Sequence, residues 1–305
     1  MLEEEQERRH GPTRRTGRTG RKSAIITMSV AVAAVAVIVS GLLMRANAGT
    51  DQTTADKLDN TADKTATVAT LKPPTGWKLA FNSSFSGSKL KTSTWATCYP
   101  WAAQSGCTNF GNDGEEKEWY MPAQDKVKDG VLDLVAKRGA TSGTNASGKQ
   151  KEYECRSGMV TTFPGFKFKY GFVQVTAKIP FKKSLWPAFW LAASNEKWPP
   201  EIDLMEHWDA DIDARVYLHP DSGIRQGGTV PTPGLSSGWH TFTVDWTKTR
   251  ITWYYDGKQL LTTKVGVPQQ SMYFIANLAV TSTSASSSCT GTLQIKSVKV
   301  WQPKS

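Results

Sequence analysis

Short β-prone runs separated by turn residues dominate the sequence from Trp77 onwards. The run "GFVQVTAKI" (171–179) alternates apolar and polar side chains, and "TFTVDW" (241–246) does the same. The segment "ITWYYDGKQLLTT" places Asp256-Gly257 between two such runs, which is the strongest short-range signal for a β-hairpin. No long stretch keeps helical periodicity, so the sequence predicts an all-β fold, an antiparallel β-sandwich or jelly roll.

The N-terminal segment has the pattern of an export signal. Residues 1–22 are polar and Arg-rich, residues 24–44 are uncharged and almost wholly apolar, and Ala46-Asn47-Ala48 forms a small-x-small cleavage pattern. The apolar stretch is long enough to span a bilayer, so a cleaved signal peptide and an anchor through residues 24–44 both stay open. The positive N-terminal residues predict an extracellular domain, either secreted or held at the outer face of the cytoplasmic membrane.

The composition divides the chain into three regions. Residues 1–48 are the targeting segment, and residues 49–72, rich in Thr, Ala, Asp and Lys, are predicted to be a flexible linker. Residues 73–305 carry the strand signals and are predicted to form one domain without a repeat. Part of the net charge of +10 belongs to residues 1–48, and the remaining +6 is scattered and forms no basic stripe, so we expect no binding to nucleic acid. We also expect a monomer.

Four cysteines lie beyond the targeting segment, and in an exported chain they predict disulfide bonds. Cys98 is expected to pair with Cys107, closing a short loop, and Cys155 with Cys289. The sequence contains no C-x-x-C pair and its four His are scattered, which argues against a zinc site. We expect no metal and no cofactor.

The stretch "WPPEIDLMEHWD" holds Glu201, Asp203 and Glu206 in an otherwise apolar, strand-like run. Side chains alternate along a strand, so Glu201 and Asp203 share one face while Glu206 would point to the other. One extra residue, a β-bulge near Leu204-Met205, would return Glu206 to the first face. The spacing therefore predicts a bulged strand that displays three carboxylates in a row.

Three neighbouring carboxylates cannot all ionise without a large free-energy cost, so one should hold its proton near neutral pH while another stays an anion. A glycosidase needs this pair: one carboxylate attacks the anomeric carbon and one acid protonates the leaving oxygen. Asp203 could hydrogen-bond the nucleophile. The competing interpretations are a calcium site, whose ligands normally come from a loop, and an acidic strand facing solvent.

Tryptophans flank the acids, and flat aromatic faces suit sugar rings. They are Trp186, Trp190, Trp198 and Trp208. Trp190 alternates inside "PAFWLA", so we expect it to be an ordinary core residue.

With these residues the sequence resembles glycoside hydrolase family 16, the laminarinase-like β-glucanases. Its motif E-x-D-x-x-E is matched by Glu201, Asp203 and Glu206. The segments "FGNDGEEKEWY", "DGVLDLVAKR", "YECRSGMVTT", "LWPAFWLAA", "HTFTVDWTKTRITWYYDGK" and "IKSVKVWQ" also match in order. The resemblance covers about Trp77 to Gln302.

The resemblance implies a β-jelly-roll with a concave cleft and a retaining double displacement. It implies Glu201 as nucleophile, Asp203 as its assisting acid and Glu206 as general acid/base. The five-residue spacing of the two Glu favours cleavage of β-1,3-glucan or a related polysaccharide. The expected substrate contacts are Asn112, Trp186, His219 and, more loosely, Trp208.

The sequence departs from the family at three places. Ser83-Ser84 and Lys296 stand where many relatives carry acids that bind a structural calcium ion, so we expect that site to be absent. Pro200 precedes the predicted nucleophile where Gly is common, which predicts a different cleft rim.

Four functions stay open on the sequence alone. The first is an endo-acting β-glucanase, and the second acts on a galactan or a bacterial exopolysaccharide. The third is a transglycosylase, in which a sugar replaces water as acceptor. The fourth is a non-catalytic glycan-binding sandwich, which the presence of both Glu disfavours.

Overall fold

The computed structural model describes residues 70–102, 116–144, 149–208, 213–281 and 289–304. Within these ranges the chain is almost entirely β-strand, arranged in one ten-stranded and one six-stranded sheet. Two short 3-10 helices, Pro100–Ala102 and Pro122–Gln124, accompany them. The predicted all-β sandwich is confirmed.

Sixteen strands are present in the part of the chain that the structure describes. In chain order they are β1 (Trp77–Ser83), β2 (Glu118–Tyr120), β3 (Asp125–Lys128), β4 (Val131–Thr144), β5 (Gln150–Ser157), β6 (Met159–Thr161), β7 (Gly171–Lys178), β8 (Leu185–Ala193), β9 (Glu201–Glu206), β10 (Ala214–His219), β11 (Gln226–Val230), β12 (His240–Trp246), β13 (Ile251–Tyr255), β14 (Lys258–Thr263), β15 (Met272–Val280) and β16 (Gly291–Pro303).

The larger sheet has the strand order β14-β13-β12-β7-β16-β4-β5-β2, with β1 paired to β16 and β3 paired to β4. The smaller sheet has the order β11-β10-β9-β8-β15-β6. Strand pairs are antiparallel, and β2 with β5 is the parallel exception among the described strands. The many crossovers between distant strands are those of a jelly roll rather than of a simple meander.

The apolar core lies between the two sheets. Alternation places Val173 and Val175 of β7 beside Val244 and Phe242 of β12 on the core face of the larger sheet. From the smaller sheet Phe189 packs on Phe242, with 5.7 Å between the ring centroids. Each such buried side chain contributes about 1.5–3 kcal/mol relative to exposure, which is why the alternating runs fix the sandwich.

The hairpin between β13 and β14 forms at the predicted Asp-Gly pair. Asp256 and Gly257 both have positive φ, 47° and 77°, as a type I′ turn requires. Tyr255 then pairs with Lys258 across the turn.

A disulfide bond connects β5 of the larger sheet to the residues just before β16. Cys155 of β5 bonds to Cys289, just before β16, with Cα atoms 6.4 Å apart, which confirms that prediction. Cys98 is also disulfide-bonded, whereas its predicted partner Cys107 lies outside the described residues.

The predicted targeting segment (1–48) and nearly all of the predicted linker (49–72) also lie outside the described residues. Within the described ranges no helix has the length and hydropathy to cross a membrane. The predicted anchor, residues 24–44, is not among them.

Candidate active site

A β-bulge in β9 brings the three acids together. Against β8, Asp203 pairs with Trp190 and Met205 pairs with Phe189, so Leu204 is one residue too many. The same register shift appears against β10. The bulge predicted near Leu204-Met205 is therefore confirmed.

The bulge sorts the side chains of β9 between two environments. Ile202, Leu204 and Met205 are buried in the core between the sheets. Glu201, Asp203 and Glu206 instead line a cleft of about 520 Å³ on the opposite face of the six-stranded sheet. Without the extra residue Glu206 would point into the apolar core, where an ionised carboxylate has no partner.

Glu201 lies between an indole and an imidazole. Trp198, which is 51% exposed, donates its indole N–H to Glu201 Oε2 at 3.2 Å. His219 pairs with Glu201 across the strands, and its Nε2 lies 3.6 Å from Glu201 Oε1. The Trp198-Pro199 and Pro199-Pro200 peptide bonds are both cis. Trp198 lines the cleft, and a cleft rim that differs from the family's stays a prediction.

Glu206 is held from the other side of β9. Trp186 of β8 donates its indole N–H to Glu206 Oε1 at 2.9 Å. The Trp186 ring lies 5.3 Å from that of Trp208, and the Arg215 guanidinium stacks 3.8 Å from the Trp208 centroid. Each predicted reactive Glu therefore has its own indole donor.

Asp203 is the most enclosed of the three acids, with 2% of its surface exposed. Its backbone carbonyl accepts a hydrogen bond of 2.8 Å from Trp253 in the core, which anchors the bulge. Its side chain is hydrogen-bonded to Glu201, and its Oδ2 lies 3.4 Å from His219 Nε2. Asp203 thus links the nucleophile candidate to the imidazole.

Burial raises the pKa of all three carboxyl groups. Burial, and then the charge of Asp203, raises the pKa of Glu201 well above its usual range. Burial and the charge of Glu206 do the same for the pKa of Asp203. Burial raises the pKa of Glu206 to about 7, opposed by the hydrogen bond from Trp186. The cluster therefore keeps protons at neutral pH, as general acid chemistry requires.

The predicted substrate contacts are partly placed. Trp186, Trp208 and His219 line the cleft, while Asn112 lies outside the described residues. Trp190 is buried as predicted, yet it is not in the core between the sheets. It lies in the cleft floor, in a second apolar cluster, and donates to Asn277 Oδ1 at 2.8 Å. Contact with substrate stays a prediction for all of them.

Sequence reasoning also missed several residues of the cleft, among them Glu116, Tyr217, Arg225 and Asn277. Tyr217 stands two residues before His219 on β10, so strand alternation could have placed it on the same face. The other three reach the cleft through strand pairings and turns that leave no local signal in the sequence.

Within the described residues, the group of side chains that could hold a cation belongs to the acid cluster itself. Ligand atoms of Glu201, Asp203 and His219 lie within 4.8 Å of one another. At the family's calcium position Ser83 Oγ instead accepts a hydrogen bond of 3.2 Å from Trp95, and Lys296 lies 5.7 Å from the Trp239 ring. The expected absence of calcium stays a prediction.

Comparison with known proteins identifies the family to which the chain belongs. The sequence model described as "Glycosyl hydrolases family 16" matches residues 115–296. The chain belongs to this family.

Relatives and solved structures agree with that assignment. Endo-1,3-1,4-beta-glycanase EglC of Rhizobium meliloti is 29% identical over 256 residues, covering 78% of this chain and 51% of that protein. The Beta-glucanase of Rhodothermus marinus is 26% identical over 197 residues, covering 59% of this chain and 63% of that protein. The chain thus spans about half to two-thirds of their length.

The fold also matches solved structures of glucanases. The endo-beta-1,3-glucanase from Pyrococcus furiosus superposes with a TM-score of 0.64 at 25% identity, covering 75% of this chain and 95% of that one. The endo-1,3-beta-glucanase (laminarinase) catalytic domain from Thermotoga petrophila gives 0.63 at 25% identity, covering 75% and 99%.

Proposed function

We propose that this chain is an exported, retaining endo-glycosidase that cleaves β-1,3-glucan or a related polysaccharide by double displacement. One observation carries the proposal: the β9 bulge places three carboxyl groups side by side in an aromatic cleft. An indole donor is hydrogen-bonded to Glu201 and another to Glu206. Family membership and the printed names of the relatives support the substrate class.

In the first step Glu201, as a carboxylate, attacks the anomeric carbon and forms a covalent glycosyl-enzyme. Glu206, as a carboxylic acid, gives its proton to the glycosidic oxygen, and the bond to the leaving chain breaks. A pKa of about 7 leaves Glu206 protonated in a large fraction of molecules at neutral pH.

In the second step Glu206 has become a carboxylate and removes a proton from water. The resulting nucleophile attacks the anomeric carbon and releases Glu201 as a carboxylate. Two displacements at the same carbon restore its original configuration. A sugar hydroxyl in place of water would give transfer rather than hydrolysis.

Asp203 supports the nucleophile rather than reacting itself. Burial raises the pKa of Asp203, and its hydrogen bond with Glu201 acts in the opposite direction. In the proposed reacting state the shared proton lies on Asp203, which donates this hydrogen bond to the Glu201 oxygen. This removes one like charge beside Glu201, whose own pKa is raised by burial and then by Asp203. The charge of His219 and the hydrogen bond from Trp198 also lower the pKa of Glu201 against the effect of its burial, which supports Glu201 as the proposed anion of the cluster.

Export is part of the proposal and is supported by the N-terminal sequence alone. Secretion with cleavage after Ala48 would give a product that starts at Gly49, whereas an anchor would leave the chain in the membrane fraction. Sequencing the N-terminus of the exported protein separates the two, and a protein found only in the cytosol would refute both.

A polysaccharide panel tests the activity. The purified domain is incubated with β-1,3-glucan, mixed β-1,3-1,4-glucan, a galactan and a bacterial exopolysaccharide, with Glu201→Ala as the matched inactive control. We expect new reducing ends and a ladder of oligosaccharides from a β-1,3-linked glucan. Cleavage of the galactan alone would change the substrate. Binding without turnover of any polymer would replace the enzyme by a glycan-binding module.

A further inference from the structure

The cleft crosses the strands of the six-stranded sheet, so its two ends differ in chemistry. Its lining side chains come from four neighbouring strands: Asn277 on β15, Trp190 on β8, Asp203 on β9 and Tyr217 on β10. At the β15 end the polar groups are uncharged or acidic. At the β10 end the cleft is lined by a cation, Arg225, in the turn before β11.

Arg225 is held in place by an aromatic ring and forms no direct ion pair with a described residue. Its guanidinium lies 4.4 Å from the centroid of the Tyr217 ring, and that ring is only 8% exposed, so the side chain covers a fixed aromatic face. The structure records no hydrogen-bond acceptor and no ion-pair partner for Arg225 among the described residues. Stacking therefore holds the cation in the cleft and leaves its five N–H donors for a ligand.

Other arginines in the described part of the chain do have acceptors. Arg250 pairs with Asp245 at 2.6 Å, and Arg138 pairs with Glu154 at 2.7 Å. Arg215 of β10 donates a hydrogen bond of 3.4 Å to the Trp208 carbonyl. Arg225 thus stands apart in a position that a bound sugar chain would reach.

A guanidinium has a strong preference for anions. It keeps its charge at all working pH values, and its planar fork matches two oxygens of a carboxylate or sulfate group. Sugar hydroxyls are served equally well by neutral donors such as Trp, Asn or Tyr, which already line the rest of the cleft. A charged donor at one end is explained best by a charged ligand group.

We propose that Arg225 binds an anionic substituent, a carboxylate or a sulfate ester, on the polysaccharide at the β10–β11 end of the cleft. The inference rests on the proposed glycosidase function and narrows its substrate to acid-bearing glucans or related polymers. Beyond residue 48 the chain has 29 Lys and Arg against 23 Asp and Glu, and this net charge of +6 assists the approach of such a polymer.

A rival role for Arg225 is to tune the catalytic acids. Burial raises the pKa of Glu206 to about 7, and the positive charge of Arg225 acts in the opposite direction. Loss of that charge would then alter the pH profile with every substrate alike. Recognition of a substituent would instead alter the ranking of substrates, so the two roles have different signatures.

The test compares three forms of one polymer: an unmodified β-1,3-glucan, its carboxymethyl derivative and its sulfate ester at equal degrees of substitution. Arg225→Gln should lower kcat/KM on an anionic form about tenfold or more beyond any loss on the neutral form, as expected for a charge-assisted hydrogen bond. Arg225→Lys should recover part of the loss. Arg138→Gln, an exposed arginine outside the cleft, should leave the ranking unchanged.

The two derivatives distinguish a carboxylate from a sulfate as the preferred group. An equal loss on all three polymers, accompanied by a shifted pH profile, would overturn the proposal in favour of tuning. An unchanged ranking in Arg225→Gln would also overturn it.

Binding keeps this test separate from the enzyme assay. In a Glu201→Ala background, adding Arg225→Gln should weaken binding to the anionic glucans about tenfold relative to the neutral one. If no polymer is cleaved but this selective loss appears, the glycosidase proposal fails and the Arg225 site stands. If cleavage occurs without selective loss, the reverse holds.

Discussion

One acid of the ten-stranded sheet, Asp245, has a partner of opposite charge, whereas the three acids of β9 on the six-stranded sheet face one another. On β12 of the larger sheet, Asp245 pairs with Arg250 at 2.6 Å. On β9 of the smaller sheet, Asp203 Oδ2 lacks a hydrogen-bond partner within the described structure while two further carboxyl groups stand beside it. The ion pair stabilises the fold, whereas the cluster of three acids lowers the stability of the folded protein, as is expected for a reactive site.

The raised pKa values express this difference. Burial and like charge disfavour ionisation of the three acids, so the folded protein holds protons that the unfolded chain would release. A pair such as Asp245 and Arg250 has no such conflict, because its charges compensate each other. Neutralising an acid of the cluster and neutralising an acid of an ion pair should therefore have opposite effects on the free energy of unfolding.

Removing Glu201, the proposed nucleophile, should have the largest effect. Glu201→Ala should lower kcat by about 10⁴-fold or more with every substrate, because no glycosyl-enzyme can form. Added azide or formate should restore part of the activity by filling the space of the lost carboxylate. Near-normal turnover of Glu201→Ala, measured by release of reducing ends, would remove Glu201 from this role.

Removing the acid/base should be less severe and should depend on the leaving group. Glu206→Ala should lower kcat/KM about 10²- to 10⁴-fold on polysaccharide, and less on aryl glycosides whose leaving groups need little protonation. The wild-type profile should fall above a pKa of about 7, because Glu206 must be protonated to act. If Glu206→Gln, assayed on an aryl glycoside, kept the same loss of activity at high pH, that loss would be due to the titration of another group.

Asp203→Asn should slow turnover without erasing it. The amide keeps the shape of the side chain and can still donate to Glu201, but it cannot share a proton with it. We expect a loss of about 10- to 100-fold in kcat, of the size of one weakened charge-assisted hydrogen bond. Full loss of activity in a folded variant would make Asp203 a reacting group instead.

Neutralising Glu206 should raise the free energy of unfolding, whereas neutralising Asp245 should lower it. In the folded protein the pKa of Glu206 is about 7 against an ordinary value of 4.5, so wild-type stability falls as pH rises through that window. Glu206→Gln lacks this loss and should gain about 1–3 kcal/mol over wild type by neutral pH. Asp245→Asn should lose about 1.5 kcal/mol, because it leaves Arg250 without its charged partner.

Denaturant unfolding at pH 4.5 and pH 7.5 measures both effects. A Glu206→Gln variant that is no more stable than wild type at pH 7.5 would show that the acid cluster carries no strain. An Asp245→Asn variant as stable as wild type would show that the Asp245–Arg250 ion pair does not stabilise the fold.

Local patterns explain what the sequence could predict. Strand alternation, the Asp256-Gly257 turn and the spacing of Glu201, Asp203 and Glu206 are set by neighbours along the chain, and the sandwich, the hairpin and the bulge follow from them. Arg225 reaches the cleft only because the turn between β10 and β11 folds it over Tyr217. Such a position depends on tertiary structure, and no residue type or spacing announces it.

Trp190 is a second residue whose environment could not be predicted from the sequence pattern. Its alternating position correctly predicted burial, but both faces of β8 are buried, so alternation could not distinguish the core between the sheets from the cleft floor. The difference is made by Asn277 on β15, which accepts the indole N–H on the cleft side.

The configuration of the first product tests the central claim that Glu201 and Glu206 share one double displacement. Proton NMR of the anomeric signals, recorded within minutes of adding wild-type enzyme to β-1,3-glucan, should show the β anomer first and the α anomer only after mutarotation. With Glu201→Ala and azide, the product should be the α-glycosyl azide, since only one displacement occurs. An α anomer as the first wild-type product would contradict the account.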